Sequence, residues 1–333
     1  MTADRPTFTN PVWEGYFADP FILASPAGYI AVGTGGGEGG QSLVALLSDD
    51  LLTWSPLADA LAPDHVPGEV LTPDDVPGEA THLWAPEIAR IGGLYVMYYS
   101  AGIEDVGHQI RIATSPVPTG RYRDAGVVLT PDEPFAIDAH PFRDDDGQWY
   151  LFYAVDRLEE PRVGTAVVVD RLVSPDQLAG DARPVVTASG DWQLFRAGRP
   201  MYGGVHDWHT CEGPFVVRRQ GRYWCLYSGG NWQESTYGVA AVWAEHPLGP
   251  WHEAPGGPGP NVIRSRPGVV HGPGHASVVT DTSGTDWLVY HAWDPDGTAR
   301  RMCLDRIRWT PDGPVCDGPT TTPQPGPVTR RGS

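Results

Sequence analysis

Three carboxylates in this sequence occupy the same kind of place. Asp19 in Ala18-Asp19-Pro20, Asp138 in Ile137-Asp138-Ala139-His140-Pro141 and Glu212 in Cys211-Glu212-Gly213-Pro214 stand at, or within three residues of, a proline that opens an apolar strand. Carboxyl groups gathered in one pocket can divide acid and base work between them, because burial and mutual repulsion set their proton affinities apart. Among 41 acidic residues any one of the three could be an ordinary turn acid. Their recurrence at one structural position is the signal. Other chemistries fall away on composition. All 23 basic residues are arginine, which excludes a Schiff-base lysine and a phosphate-loop lysine. The glycine run Gly33–Gly40 has no Lys-Ser/Thr after it and is expected to be a mobile loop.

The elements that must position these acids form a repeat. Five times a strand opens on a characteristic step: Asp19-Pro20-Phe21, Ala85-Pro86-Glu87, His140-Pro141-Phe142, Gly213-Pro214-Phe215 and Gly274-His275-Ala276. Each is followed by a Gly- or Asp-type turn and a second strand rich in Tyr, Trp and aliphatic residues, which together read as a hairpin. Third strands are legible at Ser42–Leu47, Gln109–Thr114, Gly164–Val169, Tyr237–Trp243 and Arg301–Trp309, and polar fourth strands at Gly120–Asp124 and Gly249–Glu253. Strand alternation bounded by Gly and Pro, with almost no 3.6-residue periodicity, predicts an all-β fold. Residues 1–333 are expected to form one five-bladed β-propeller, with blades of about four antiparallel strands. First strands line the central channel of a propeller, so acids at their starts would face one pocket. The tandem decapeptide across 61–80, LAPDHVPGEV then LTPDDVPGEA, is expected to be an exposed loop, because proline at this density disfavours ladder pairing.

Composition fits that picture. With 41 Gly and 34 Pro the chain is rich in turns, yet 41% hydrophobic residues with 13 Trp and 13 Tyr can fill a core. A net charge of −18 opposes nucleic acid and anionic membranes and suits a neutral partner. The stretch Met1 to Pro11 has no leader pattern and no run is long enough to span a bilayer, so a cytoplasmic location is expected. Cys211, Cys225, Cys303 and Cys316 show no C-x-x-C spacing and read as reduced, mostly buried thiols.

The segments Ala18-Asp19-Pro20, Leu83-Trp84-Ala85-Pro86-Glu87, Ile137-Asp138-Ala139-His140-Pro141-Phe142, Glu212-Gly213-Pro214-Phe215 and Gly272-Pro273-Gly274-His275 together resemble glycoside hydrolase family 43, the arabinanase, arabinofuranosidase and β-xylosidase family. The resemblance implies an inverting mechanism in which Asp19 is the general base, Asp138 tunes and orients, and Glu212 is the general acid. Inversion needs an acid and a base on opposite faces of the sugar, and a neighbouring charge such as that of Asp138 would help Glu212 keep its proton. Trp84, in the same motif, is either a core aromatic or a sugar-stacking platform. Trp232 lies on a loop expected to open on the catalytic face. Phe21 follows the base and either meets substrate or packs between blades. Arg300 resembles the fifth-blade arginine that family members direct at substrate hydroxyls, with Arg301 one residue away. At His275 family members can hold a central calcium or other cation through this histidine and waters, a structural role, since the chemistry itself requires no cofactor.

The resemblance points to an exo-acting α-L-arabinofuranosidase that takes pentose from the non-reducing ends of short, neutral oligosaccharides, with β-xylosidase as the alternative. The chain ends soon after the fifth repeat, with no room for the extra β-sandwich that many xylosidases of the family carry. Two readings from other classes are a non-catalytic sugar-binding propeller and a phosphorolytic enzyme, the latter requiring a cationic phosphate site at Arg300 and Arg301.

Overall fold

The computed structural model describes residues 5–35, 42–57, 69–255 and 259–329. Most of the glycine run and the first decapeptide of the duplication lie outside the described residues. The architecture is all-β and consists of five successive antiparallel meanders. The first is Ala18–Ser25, Gly28–Gly35, Ser42–Ser48 and Ser55–Pro56; the second is His82–Ile91, Leu94–Ile103, Val106–Ser115 and Arg123–Val128. The third is Ala136–Arg143, Trp149–Arg157, Gly164–Ser174 and Arg183–Val186; the fourth is Gly204–Arg219, Arg222–Gly229 and Gly238–Ala244 with the short pieces His252–Glu253 and Ile263–Arg264. The fifth is His271–Thr280, Asp286–Trp293, Arg300–Thr310 and Gly313–Cys316. No described helix is long and apolar enough to cross a membrane.

Second strands are buried nearly end to end on both faces, as in Tyr95 to Ala101 and Tyr150 to Val155. A strand covered on both sides reads as a continuous apolar run, which is why these were the plainest elements in the sequence. The covering comes from neighbours. Separate apolar cores join the first meander to the second, the second to the third, the third to the fourth and the fourth to the fifth. A further core, with Phe17, Ile22, Trp287, Val289 and Met302, joins the fifth back to the first. At the junction of the third and fourth meanders Gly164 and Thr165 run parallel to His209 and Thr210. Any Cβ at Gly164 would collide with the His209 carbonyl, so close approach demands glycine there.

The chain ends also take part. Thr7–Phe8 pairs with Gln324–Pro325, and Val12 N–H donates to the Met302 carbonyl at 2.9 Å.

Several expectations need correction. Gly33 to Gly35, expected in a mobile loop, close the buried second strand of the first meander, and the fourth strand expected at Gly249–Glu253 is His252–Glu253. The described part of the decapeptide duplication is not simply an exposed loop. Glu69–Leu71 pairs with the first meander's third strand, and Val70, Leu71 and Val76 are buried in the core between the first two meanders. Proline limited the pairing to three residues without preventing it, because the intervening Glu-Val-Leu carries free N–H groups and two apolar side chains. The fourth strand of the second meander begins at Arg123 instead of Gly120. The four cysteines are free thiols, three of them buried, as expected.

Candidate active site

Each first strand carries a bulge at the same level, and the residue in it has a positive φ: Asp19 (52°), Ala85 (46°), Asp138 (62°), Gly213 (56°) and His275 (48°). A left-handed residue inside a strand breaks the ladder and turns its own N–H out of register. Those N–H groups find acceptors on the second strand of the preceding meander. Ala85 donates to Thr34 Oγ1 (2.9 Å), Asp138 to Ser100 Oγ (3.0 Å), His275 to Ser228 Oγ (2.7 Å) and Asp19 to His291 Nδ1 (3.1 Å). Thr34, Ser100, Ser228 and His291 stand opposite Ala18, Trp84, Glu212 and Gly274. The corresponding residue of the third meander, opposite Ile137, is Ala154, which has no acceptor. Gly213 N–H therefore bonds to Asp138 Oδ2 at 2.9 Å. The bulges thus place the carboxylates at one level, and the exception at Ala154 fixes the rotamer of one of them.

Asp19, Asp138 and Glu212 line one cavity of about 370 Å³, together with Trp84, Trp232, His275 and Arg300. Asp19 Oδ2 accepts from Thr34 Oγ1 at 2.6 Å and its Oδ1 lies 3.2 Å from Arg300 Nη1. Burial alone would raise this carboxyl; the Arg300 guanidinium, then His275, then the hydrogen bond and charge of His291 together more than offset it and hold Asp19 far below the usual carboxylate range. His275 and His291 also approach to 3.3 Å. Burial pushes both imidazoles down, His291 to about 4, whereas the charge of Arg300 is permanent.

The other two carboxyls move the opposite way. Burial, with Asp19's charge adding, raises Glu212 to about 7, against a 2.6 Å hydrogen bond donated by Tyr237 to its Oε1. Burial and then the charges of Glu212 and Asp19 push Asp138 up as well, partly opposed by the Gly213 N–H. The expectation that Asp138's charge would help Glu212 keep its proton is thus corrected: burial comes first, and the charge that adds to it is that of Asp19. Tyr237 stays a donor, because burial and then the neighbouring carboxylate push its phenol well up.

Trp84 stacks on His108 with ring centroids 3.7 Å apart, and His108 is fully buried with its Nε2 on the Glu104 carbonyl. Trp84 thus stands on the cavity wall with a fixed ring behind it. Trp232 stacks on Trp293 (5.9 Å) and lies under the Arg300 guanidinium at 4.5 Å. Arg300 is further fixed by Tyr16, whose hydroxyl accepts from Nη2 at 2.8 Å. Arg301 points the other way, as strand alternation requires, and pairs with Asp294 at 3.0 Å. The two arginines thus make no joint phosphate site.

Phe21 is not brought to this cavity. It meets Phe215 at 6.3 Å, and Phe215 meets His140 at 4.4 Å, whose Nδ1 lies 2.6 Å from Glu87 Oε2. The first and fourth meanders are not sequential neighbours, so this cluster fills the middle of the molecule beneath the acids. Phe21 lies two residues along the strand from Asp19 and past the bulge, so it packs below the cavity instead of lining it. The surroundings of His275 do not make a calcium cage. Its Nδ1 faces a carboxylate already paired to Arg300, calcium wants about six to eight oxygens, and no group of three or more His, Cys, Asp or Glu among the described residues is arranged to hold a metal.

Tyr237, His291, Thr34, Tyr16 and His108 were not singled out from sequence. Thr34 and His291 had a signal, since each closes the second strand directly across from a site-bearing step.

A carboxylate locked in its ionised form beside a carboxyl that keeps its proton near neutrality, in one aromatic-walled cavity of an all-β protein, defines an acid–base centre of the glycosidase type. The chain belongs to glycosyl hydrolases family 43, whose family model matches residues 8–315. It is 28% identical over 318 residues to a β-D-galactofuranosidase from Aspergillus niger, covering 92% of this chain and 83% of that protein. It is 29% identical over 226 residues to an extracellular exo-α-(1→5)-L-arabinofuranosidase from Streptomyces chartreusis, covering 64% of this chain and 63% of the relative. The crystal structure of a thermostable family-43 glycoside hydrolase superposes with a TM-score of 0.82 at 28% identity, over 97% of this chain and all of that one.

Proposed function

We propose that the five meanders are the blades of a closed five-bladed β-propeller and that the cavity at its centre carries an inverting, exo-acting α-L-arabinofuranosidase. The observation that carries the reading is the opposed protonation of Asp19 and Glu212 in one cavity. Asp19 takes a proton from water as the water oxygen bonds to the anomeric carbon. Glu212 gives its proton to the glycosidic oxygen as that bond breaks, and Tyr237 steadies the carboxylate left behind. Asp138, tied to Gly213 N–H, contributes a hydrogen-bonding oxygen without moving a proton. Arg300 keeps Asp19 ionised, and Trp84 and Trp232 offer faces to the apolar side of the sugar.

A second reading, a β-D-galactofuranosidase, is favoured by the Aspergillus relative that matches 92% of this chain. The two sugars share ring stereochemistry and differ by one exocyclic CHOH. A panel of p-nitrophenyl α-L-arabinofuranoside, β-D-galactofuranoside and β-D-xyloside separates them, with early-time proton NMR of the released sugar. Highest kcat/KM on the arabinofuranoside and an inverted first product are expected. A retained product would remove Asp19 from the base role.

A further inference from the structure

A hairpin that the sequence did not announce stands in front of the cavity. Leu194–Met201 pairs with the leading part of Gly204–Arg219, the strand that carries Glu212. From the fourth blade it crosses the third, where the Tyr202 hydroxyl donates to Asp156 Oδ2 at 2.6 Å. It then reaches the second, where Arg199 Nη2 meets Asp105 Oδ2 at 2.9 Å on the tip between Leu94–Ile103 and Val106–Ser115. The hairpin has a stiff spine: the Arg199 guanidinium lies 5.1 Å over Phe195 and 5.5 Å over Trp208, and Trp208 stacks with Tyr202 at 6.1 Å. Asp156 is itself buried and held by Thr165 at 3.1 Å, so the anchor is rigid. Phe195, Arg196, Arg199 and Met201 all face the cavity.

A hairpin fastened at two points on two other blades makes a continuous wall from the second blade to the fourth. A sugar chain cannot run through the site in that direction. We propose that this latched hairpin is the specificity-determining wall of the enzyme: it stops the chain beyond the sugar held by the three acids and so restricts cleavage to chain ends. Arg199 and Tyr202 are its fasteners, and Asp105 and Asp156 their anchors. The inference rests on the glycosidase reading above and adds the structural cause of its exo action.

The test compares wild type with Asp105→Ala/Tyr202→Phe, which removes both fastenings and, of the cavity lining, changes only Asp105 at its rim. Because exposed ion pairs contribute little singly, a second variant deletes residues 200–205 and joins Arg199 to His206 through Asn-Gly. Each is assayed on the best aryl glycoside, on the trisaccharide of that sugar and on its linear polymer, with products resolved by chromatography. Wild type should release monosaccharide only. Both variants should release oligosaccharides from the polymer, with the polymer-to-trisaccharide ratio of kcat/KM rising at least about tenfold. Monosaccharide as sole product and an unchanged ratio, in variants that still cleave the aryl glycoside, would overturn the latch alone. A wild type inactive on every aryl glycoside would instead overturn the functional reading and this inference with it.

Discussion

Glu212 and Asp19 differ in what they give to the reaction, and their variants should differ in kind. Glu212→Gln removes a proton donor, which matters when the leaving group is a sugar alkoxide and little when it is an acidic phenol. We expect a loss of about 100- to 10,000-fold on an oligosaccharide and a near-normal rate on a dinitrophenyl glycoside. Asp19→Asn should lose a similar factor on both substrates, because every substrate needs the activated water. Steady-state kinetics on the pair of substrates reads this out; equal losses for Glu212→Gln on both would remove it from the acid role. The pH dependence follows from the same groups. Activity should fall as pH rises through about 7, where Glu212 gives up its proton. Stability follows with the same sign: a carboxyl whose folded-state pKa is raised binds protons more tightly folded than unfolded, so stability present at low pH is lost as pH rises from its unfolded value through about 7. Glu212→Gln should therefore melt higher than wild type at pH 8, the gap closing below the unfolded carboxyl range, as differential scanning fluorimetry would show. All three acids were legible in the sequence because each sits beside a proline-marked strand opening. Their partners Tyr237 and His291 were not, since a Tyr or His inside an apolar strand looks the same whether it packs or donates.

At the scale of the element, the bulge is what the sequence concealed. Asp19-Pro20, Ala85-Pro86 and Gly213-Pro214 read as ordinary strand starts, and nothing in the chain says that the residue before the proline takes a left-handed conformation. The five strands and their turns were readable because apolar runs and Gly/Asp turns are local signals. The left-handed kink is supported from outside, by a hydroxyl, an imidazole or, at Gly213, a carboxylate on the preceding meander. Thr34 shows the coupling most directly, accepting from Ala85 N–H while donating to Asp19. Thr34→Val keeps the shape and removes both bonds. It should destabilise by about 1–3 kcal/mol, the cost of an orphaned buried N–H, and should also lower kcat by loosening Asp19. Urea melts and kinetics on the same preparation test both parts; a stability loss with an unchanged kcat would make Thr34 purely structural. The hairpin at Leu194–Met201 was illegible for another reason: half-exposed and short of apolar alternation, it has no periodic signature of its own.

For the whole molecule, apolar cores join each described meander to the next and the fifth back to the first, and Phe21, Phe215, His140 and Glu87 pack together between them. With the middle packed and His275 facing an already paired Asp19, the reading assigns no step to a metal. Exhaustive dialysis against a chelator should leave kcat and Tm within error. A fall in either that calcium restores would place a cation at His275 after all.

The pairing of Thr7–Phe8 with Gln324–Pro325 has a mechanical consequence. The two strands are antiparallel and both free ends leave from the same side, so a force drawing the ends apart loads the ladder one bond at a time, as a zip is opened, and never in shear. Pulled by its ends in an optical trap, the protein should first yield a small, low-force extension as this clasp opens. The meanders beyond it, each sealed by cores on both sides, should hold until a much higher load and then give way together.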